Sequence, residues 1–180
     1  MAETYKMQIA GLERELKKCA VSEKLDIAAF IMFSDVEVTV ASAQELLKKC
    51  PAFDVIITAE CKGIPLAYEM ARQSGKPYVV ARKSVKLYMQ DVVSVNVKSI
   101  TTAAEQTLYL DGEKASLLKN QRVLIVDDVI STGESLKALE QLVTAAGGEI
   151  AGQAAVLAEG DAADRDDIIF LEPLPLFFKD

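Results

Sequence analysis

The sequence predicts an α/β fold with a doubly wound, mainly parallel sheet. Short apolar runs rich in β-branched residues alternate, from about residue 41 onward, with segments of helical hydrophobic periodicity. Strands and helices in this order form a parallel sheet with helices on both faces. The 180 residues are 51% hydrophobic and 26% charged, which is enough apolar material for a buried core. Because no internal repeat or low-complexity linker interrupts residues 1–180, we expect a single domain.

Each element follows from its local pattern. Buried strands are indicated where a short apolar run is bounded by turn-forming residues: 53–59, 77–81, 122–128 and 149–158. Helices are indicated where apolar residues recur at helical spacing before a stop signal: 41–50, 64–74 and about 134–146. The stop signals are Pro51, Gly75 and Gly147, residue types that end helices.

Segment 84–112 breaks this alternation. It holds two runs in which apolar and polar residues alternate, 92–97 and 107–111, around a polar middle. We therefore expect a flexible, two-stranded flap between the second and third strands of the sheet.

Charge and composition exclude several classes of function. The sequence carries 20 Lys and Arg against 27 Asp and Glu, a net charge of −7, with no block of basic residues. Binding to nucleic acid or to an anionic membrane has no electrostatic basis, so we expect neither. The sequence contains no histidine. Ser-His-Asp triads, Cys-His pairs and His-ligated zinc are therefore excluded, and proton transfer would fall to other side chains.

The cysteines and the apolar runs predict a cytoplasmic protein. Cys19, Cys50 and Cys61 are widely spaced and odd in number, so neither a disulfide framework nor a zinc site is indicated. Cys61 is more simply a small loop residue than a nucleophile, because no histidine could activate it. The longest apolar run, Ile27–Phe33, is far shorter than the roughly 18–20 residues that cross a bilayer. Residues 1–16 lack the apolar core of a signal peptide.

The strongest functional signal is segment 123–135, VLIVDDVISTGES. Asp127 and Asp128 end an apolar strand, and small hydroxylated residues and a glycine open the next helix. In an open α/β sheet, ligands lie beyond the carboxyl ends of the strands, where such a loop can bind an anion with backbone N–H groups. No Lys or Arg lies within this segment. It suits a phosphate bound by backbone and hydroxyl groups, beside carboxylates that accept hydrogen bonds from a sugar.

Two other interpretations compete with a phosphate site. Ser, Thr and Gly residues after an apolar strand are often only the N-cap of a helix. The acidic pair also resembles the first strand of phospho-acceptor receiver domains, but too few residues follow Asp128 to complete such a domain. The sequence therefore excludes a receiver domain and leaves the plain cap open.

Segment 123–135 resembles the phosphoribosyl-pyrophosphate signature of type I phosphoribosyltransferases, with an apolar strand, two acids, two apolar residues, a small residue and Thr-Gly. The resemblance implies that Asp127 and Asp128 hold the 2′- and 3′-hydroxyls of a ribose and act in catalysis. It also implies a loop that wraps the 5′-phosphate, formed by Ser131, Thr132, Gly133, Glu134 and Ser135.

Two further segments extend the resemblance over roughly residues 53–178. AECKGIPLA (59–67) resembles the pyrophosphate loop of the family, and ARKSVKL (81–87) resembles a segment of its adenine and xanthine members. They imply a pyrophosphate site made of Glu60, Cys61, Lys62, Gly63, Arg82, Lys83 and Lys86. Relatives often hold a cis peptide bond without proline in this loop, which points to the Glu60–Cys61 bond. From the residues alone, the basic run could equally be solvated surface.

The resemblance implies transfer of phosphoribose from phosphoribosyl pyrophosphate to a purine base, with release of pyrophosphate, in purine salvage. Mg²⁺ is the implied cofactor, bound mainly through the pyrophosphate and without a direct protein ligand. A small N-terminal hood, residues 1–40, would contribute to the base pocket, and the flap at 84–112 would exclude water. A homodimer is typical of the family.

Adenine, which would give AMP, is the first choice of base, and xanthine is the alternative. Ser131 stands where hypoxanthine-guanine members usually carry Asp. Residues 33–36, FSDV, resemble the Phe-Arg-Asp-Ile segment of adenine members without its Arg, so Phe33 could stack on a purine or belong to the core. Glu105 lies close to the position of a catalytic Glu in adenine members, or is an exposed loop carboxylate. A regulator of the same fold, which senses phosphoribosyl pyrophosphate without catalysis, is the alternative from a different class.

Overall fold

The computed structural model describes residues 3–98 and 105–179. The strands, in chain order, are β1 (Thr4–Ile9), β2 (Leu12–Ser22), β3 (Leu25–Ala29), β4 (Val55–Ala59), β5 (Tyr78–Ala81), β6 (Val93–Lys98), β7 (Glu105–Leu110), β8 (Arg122–Ile130), β9 (Glu149–Glu159), β10 (Ile169–Leu174) and β11 (Leu176–Phe178). The helices are α1 (Val36–Lys49), α2 (Ile64–Ser74), α3 (Gly112–Ser116) and α4 (Glu134–Ala145), and a short 3₁₀ turn follows β9 at Gly160–Asp164. Within the described ranges, no helix has the length and apolar character needed to cross a membrane.

A five-stranded parallel sheet forms the centre, in the order β10-β9-β8-β4-β5. Its strands are apolar because both faces are covered, and every residue of β4 is buried. Alternate side chains of β4 and β8 pack on α4 at one face and on α1 and α2 at the other. The doubly wound arrangement predicted from the sequence is confirmed.

Most predicted elements are present, with small shifts at their ends. α2 covers the predicted 64–74 and ends at Gly75, whose φ of 69° is the left-handed conformation that favours glycine. β8 continues past both aspartates to Ile130 instead of ending at residue 128. It does so because its pairing with β9 extends to Ala158. The short helix α3 is not among the predicted elements.

Helix α1 begins at Val36, so the prediction of a helix over 41–50 is wrong at its start. Asp35 caps the helix, because its side chain accepts a hydrogen bond from the backbone N–H of Val38 at 3.1 Å. The first turns are rich in β-branched residues, which hides their helical character in the sequence. The segment 1–40 predicted as a hood therefore includes the start of α1.

The three strands before α1 form, together with β11, a second, antiparallel sheet in the order β1-β2-β3-β11. Along β1, the alternate residues Tyr5, Met7 and Ile9 pack against the core, and the residues between them are exposed. The fourth strand arrives from residues 176–178, where Leu176 pairs with Ile27. These strands make up most of the segment predicted as the N-terminal hood.

The predicted flap contains the expected pair of strands. β6 and β7 are antiparallel, with Val93 opposite Leu110. The polar middle of the flap, 99–104, lies outside the described residues. Glu105 opens β7 opposite Lys98, so its backbone belongs to a strand and not to a loop, while its side chain also lies outside the description.

Candidate functional site

The carboxyl ends of β4 and β8, neighbours in the central sheet, bring two of the predicted loops together. Lys62 follows β4, and Asp128 lies near the end of β8. Lys62 Nζ is 2.9 Å from Asp128 Oδ2, with the lysine side chain 50% exposed and the aspartate side chain 3% exposed. The predicted pyrophosphate cation and the predicted ribose carboxylate therefore form an ion pair at one edge of the sheet.

Gly63 allows the predicted pyrophosphate loop to lie directly on the acidic pair. A Cβ at this position would overlap Thr58 Oγ1 and would be 3.0 Å from Asp127 Oδ1. Thr58 is fully buried in β4, so it has little freedom to move aside. The φ of Gly63 is −74°, so glycine is required here by the close approach of the two segments and not by a left-handed backbone.

The two aspartates of the pair differ in their surroundings. Asp128 is buried, and its backbone N–H donates to Asp127 Oδ1 at 2.9 Å. Desolvation by burial, followed by the adjacent charge of Asp128, raises the pKa of Asp127 above its ordinary value of 3.8. The Asp128 N–H and the charge of Lys62 oppose this rise. Both carboxyls can accept hydrogen bonds from sugar hydroxyls.

The segment after β8 encloses a small polar cavity of about 60 Å³, lined by Asp127 and residues 129–136. Helix α4 begins at Glu134, and its N-cap is Gly133, with a φ of 78°. The cap is thus a glycine, and among the described residues no side chain, neither Ser131 nor Thr132, caps the helix; the alternative of a plain helix cap stays a prediction beside the phosphate loop. Ser131 and Thr132 lie before the cap and line the cavity. Small side chains and a helix start around a cavity suit a phosphate group.

The basic run after β5 reaches the pyrophosphate loop through Glu60. Glu60 Oε2 accepts hydrogen bonds from Arg82 Nε at 3.2 Å and from the backbone N–H of Lys83 at 3.1 Å. These two bonds, the Lys83 N–H first, lower the pKa of Glu60. The Glu60–Cys61 peptide bond is cis, as the resemblance predicts. Lys86 Nζ instead donates to a serine hydroxyl of its own segment at 2.7 Å, so Arg82 and Lys83 are the members of the run that contact the loop.

The flap strands are joined to both halves of this site. Arg82 and Tyr109 of β7 exchange two backbone hydrogen bonds, at 2.8 and 2.9 Å. On the phosphate side, the side-chain amide of Gln106 and the hydroxyl of Ser135 form a hydrogen bond at 3.4 Å. β6 and β7 also pack on α4. The strand pair thus connects the predicted pyrophosphate segment with the predicted phosphate loop.

Phe33 lies between β3 and α1, and 46% of its surface is exposed. Its neighbours Phe30 and Met32 are buried in the core, so the interpretation of Phe33 as a core residue is wrong. In the same segment, Asp35 accepts hydrogen bonds from Nε and Nη2 of Arg14, at 2.8 and 3.1 Å. A guanidinium from β2 thus lies beside Asp35, although the segment itself lacks the Arg of adenine members.

Three residues of this region, Thr58, Gln106 and Arg165, are not predicted from the sequence. Arg165 Nη1 lies 2.9 Å from the position that a Cβ at Gly133 would occupy. Neither Arg165 nor Gln106 is marked by a local motif, because each reaches the loop through the packing of distant segments. Thr58 does have a visible signal, since it is a polar residue in an otherwise apolar strand, one residue before the loop.

Comparison with known proteins shows which family the chain resembles. The family model described as a phosphoribosyl transferase domain matches residues 37–174. A xanthine phosphoribosyltransferase from Exiguobacterium sp. is 36% identical over 117 residues, 64% of this chain and 60% of that protein. An adenine phosphoribosyltransferase from Cenarchaeum symbiosum is 34% identical over 129 residues, 71% of this chain and 73% of that protein. Hypoxanthine/guanine phosphoribosyltransferases and a purine biosynthesis transcriptional repressor also match, so the relatives differ in named function.

The chain spans 60% of the length of the xanthine phosphoribosyltransferase. It spans 56% of the length of a hypoxanthine/guanine phosphoribosyltransferase from Methanococcus voltae. Among solved structures, an adenine phosphoribosyltransferase from Thermoanaerobacter pseudethanolicus superposes with a TM-score of 0.73 at 23% identity. That superposition covers 88% of this chain and 95% of the other, and it shows the fold. With the family model covering most of the sequence and relatives above 30% identity, the chain belongs to the type I phosphoribosyltransferase family, in its purine branch.

Proposed function

We propose that the protein transfers phosphoribose from phosphoribosyl pyrophosphate to adenine, giving AMP and pyrophosphate. The observation that carries this proposal is the contact between two loops, in which Gly63 lies on Asp127 and Lys62 pairs with Asp128. A substrate with a pyrophosphate and a ribose 5-phosphate in one molecule would span both loops. Its pyrophosphate would form an ion pair with Lys62. Its sugar hydroxyls would donate hydrogen bonds to Asp128 in place of Lys62.

The proposed mechanism relies on placement and charge. The transition state of such a transfer resembles an oxocarbenium ion, and Asp127 and Asp128 would hold the ribose while placing negative charge near the developing cation. Lys62 and Arg82 would neutralise the departing pyrophosphate. The loop 131–135 would fix the 5′-phosphate and with it the sugar ring. The flap strands would help to exclude water, which would otherwise hydrolyse the activated sugar.

Mg²⁺ fits this site as a partner of the pyrophosphate. Carboxylate oxygens are ligands that Mg²⁺ prefers, and Asp128 Oδ2, apart from its ion pair with Lys62, has no hydrogen-bond donor among the described residues. No group of three side chains able to hold a metal occurs in the described ranges. As the resemblance implies, the ion would be held mainly by the pyrophosphate of the substrate, with the carboxylates of Asp127 and Asp128 beside it. When bound, the ion would neutralise charge on the leaving group.

Adenine is proposed ahead of xanthine. Ser131 stands where an Asp would favour hypoxanthine or guanine, and the exposed Phe33 lies in the segment that resembles adenine members. The relative named for adenine aligns with more of this chain than the relative named for xanthine. Glu105 is proposed to assist protonation at the base. On the family resemblance and on cysteine usage, we also propose a homodimer in the cytoplasm.

A panel of bases tests the proposal. The pure protein is incubated with phosphoribosyl pyrophosphate, Mg²⁺ and one of adenine, xanthine, hypoxanthine, guanine or orotate, and pyrophosphate release is followed. We expect release with adenine and none with orotate. Release with xanthine alone would overturn the choice of adenine. If no base gives release, the proposed enzyme activity is wrong.

A regulator that senses phosphoribosyl pyrophosphate is a second candidate, favoured by the match to a transcriptional repressor, which covers 38% of that protein. Residues 4–29 of this chain are strands of the antiparallel sheet, so this segment does not supply a winged helix. A gel shift on random DNA across a salt series distinguishes the candidates. Tight, salt-sensitive binding would support the regulator, and pyrophosphate release without such binding would support the enzyme.

A further inference from the structure

Arg165 lies directly after the 3₁₀ turn that follows β9, and its side chain is fixed by Asp167. Nε donates to Asp167 Oδ1 at 2.8 Å, and Nη2 donates to Asp167 Oδ2 at 2.6 Å. This two-point contact uses one edge of the guanidinium and fixes its plane. Nη1, on the other side of the group, is thereby held in a defined direction.

That direction is towards the phosphate loop. Arg165 Nη1 lies 2.9 Å from the position of a Cβ at Gly133, the residue that precedes α4. Any side chain at residue 133 would meet the guanidinium, and a φ of 78° already favours glycine there. The guanidinium therefore lies close to Gly133, with 32% of its side chain exposed.

The loop itself lacks a basic side chain. Segment 123–135 contains Asp127, Asp128 and Glu134 and no Lys or Arg. A doubly charged phosphate in this loop would lie near several carboxylates, and the dipole of α4 supplies only part of a positive charge. A guanidinium this close to Gly133 would lie near that phosphate, where an opposite charge is attractive.

We propose that Arg165 belongs to the phosphate site and supplies the positive charge that the loop lacks. This inference rests on the proposed function only in taking the ligand to be a sugar 5′-phosphate. Arg165 acts through its charge, from behind Gly133, while Asp167 keeps the guanidinium in place. Arg165 is thus a positioning residue for the phosphate and has no role at the reacting carbon.

Binding of ribose 5-phosphate, measured by titration calorimetry, tests the proposal without requiring a base or turnover. We expect Arg165→Gln to weaken binding by about tenfold, and Arg165→Lys, which keeps the charge, to recover most of that loss. Arg122→Gln is the matched control, because Arg122 makes the same two-point contact with Asp54 at the opposite end of β8. It should leave the affinity unchanged.

The variant Asp167→Asn tests whether Arg165 acts through its charge or only supports the structure of the loop. The Asn side chain keeps one oxygen that can accept a hydrogen bond from the guanidinium, but it loses the negative charge. If Arg165 acts through its charge, the site becomes more positive, and ribose 5-phosphate should bind at least as tightly as in the wild type. If Arg165 only braces the loop, Asp167→Asn should weaken binding as Arg165→Gln does. Circular dichroism melts of all variants confirm that each is folded before its affinity is compared.

Three results would overturn the proposal: an affinity of Arg165→Gln within twofold of the wild type, an Arg165→Lys variant as weak as Arg165→Gln, or a wild type that does not bind ribose 5-phosphate. Failure of the proposed function gives a different result. In that case the wild type binds ribose 5-phosphate and the variants follow the expected order, but no base yields pyrophosphate.

Discussion

Asp128 places a charge in a buried position and holds Lys62 as its counter-ion. Leaving a buried carboxylate without a partner is costly, so a ligand that draws Lys62 away must give Asp128 a new donor. Under the proposed function, the hydroxyl groups of a ribose would be these donors, and the pyrophosphate of the same molecule would draw Lys62 away.

Asp128→Asn removes this charge with little change of shape. We expect kcat/KM to fall by at least about 100-fold, because an interaction that strengthens in the transition state is lost. Steady-state kinetics of pyrophosphate release measures the effect. Asp54→Asn is the control, since Asp54 binds Arg122 at the far end of the sheet. Turnover of Asp128→Asn near that of the wild type would show that the acidic pair is misassigned.

Asp127 makes stability depend on pH. Its raised pKa means that the folded protein keeps this proton at pH values where the unfolded chain has lost it. The contribution of Asp127 to the free energy of unfolding therefore decreases as the pH rises from 3.8 through the raised pKa. Asp127→Asn should remove this slope, as measured by denaturant unfolding at a series of pH values. A slope that is the same in the variant would contradict the assignment.

Gly63 tests the contact between the two loops. In Gly63→Ala the new methyl group would meet Thr58 and Asp127, and the resulting shift of the loop should lower kcat/KM by about 100-fold. Gly75→Ala is the control, because nothing lies within 4 Å of its Cβ position. Its left-handed φ should cost about 1–3 kcal/mol of stability and leave KM unchanged.

The double variant Thr58→Ala/Gly63→Ala sharpens this test. Removing Thr58 Oγ1 takes away the closest obstacle to a methyl group at residue 63, so part of the lost activity should return. A double variant no more active than Gly63→Ala would place the cause of the loss elsewhere.

Some residues of the site are visible in the sequence and others are not. Lys62, Gly63 and Asp128 lie in short motifs at the ends of apolar strands. Local sequence patterns therefore predict them. Arg14 and Arg165 are different. Arg14 binds Asp35, 21 residues away, and Arg165 reaches the vicinity of Gly133 from beyond β9. Contacts of this kind depend on packing, and no local spacing encodes them.

At the level of elements, the buried parallel strands could be predicted because both of their faces are covered and their sequences are continuously apolar. The antiparallel sheet could not. β2, LERELKKCAVS, is rich in charged residues because one of its faces is exposed. β11, residues 176–178, pairs with β3 from the other end of the sequence. No local sequence pattern predicts this pairing.

The flap strands β6 and β7 are joined to the phosphate loop by the bond between Gln106 and Ser135. Gln106→Ala should speed amide hydrogen exchange along these strands by about two- to tenfold, the effect of losing one hydrogen bond of roughly 0.5–1.5 kcal/mol. Hydrogen-exchange mass spectrometry measures the effect. Gln8→Ala on the exposed face of β1 is the control. Unchanged exchange in β6 and β7 would show that the bond between Gln106 and Ser135 does not hold the flap.

Across the whole molecule, charge is distributed unevenly. The net charge of −7 includes a local group of cations, Lys62, Arg82 and Lys83, around the pyrophosphate loop. Arg165 adds a cation behind the phosphate loop. The proposed function would therefore use these local cations to bind a small, highly charged anion and would act by position and electrostatics, without an imidazole base.

The most direct test of this account follows both products at once. Phosphorus NMR is recorded on the wild-type protein mixed with phosphoribosyl pyrophosphate, Mg²⁺ and adenine. Transfer predicts that signals of AMP and pyrophosphate grow together in equal amounts. Ribose 5-phosphate with pyrophosphate and no AMP would show hydrolysis instead of transfer, and an unchanged spectrum would show no reaction; either result would contradict the proposed phosphoribosyl transfer.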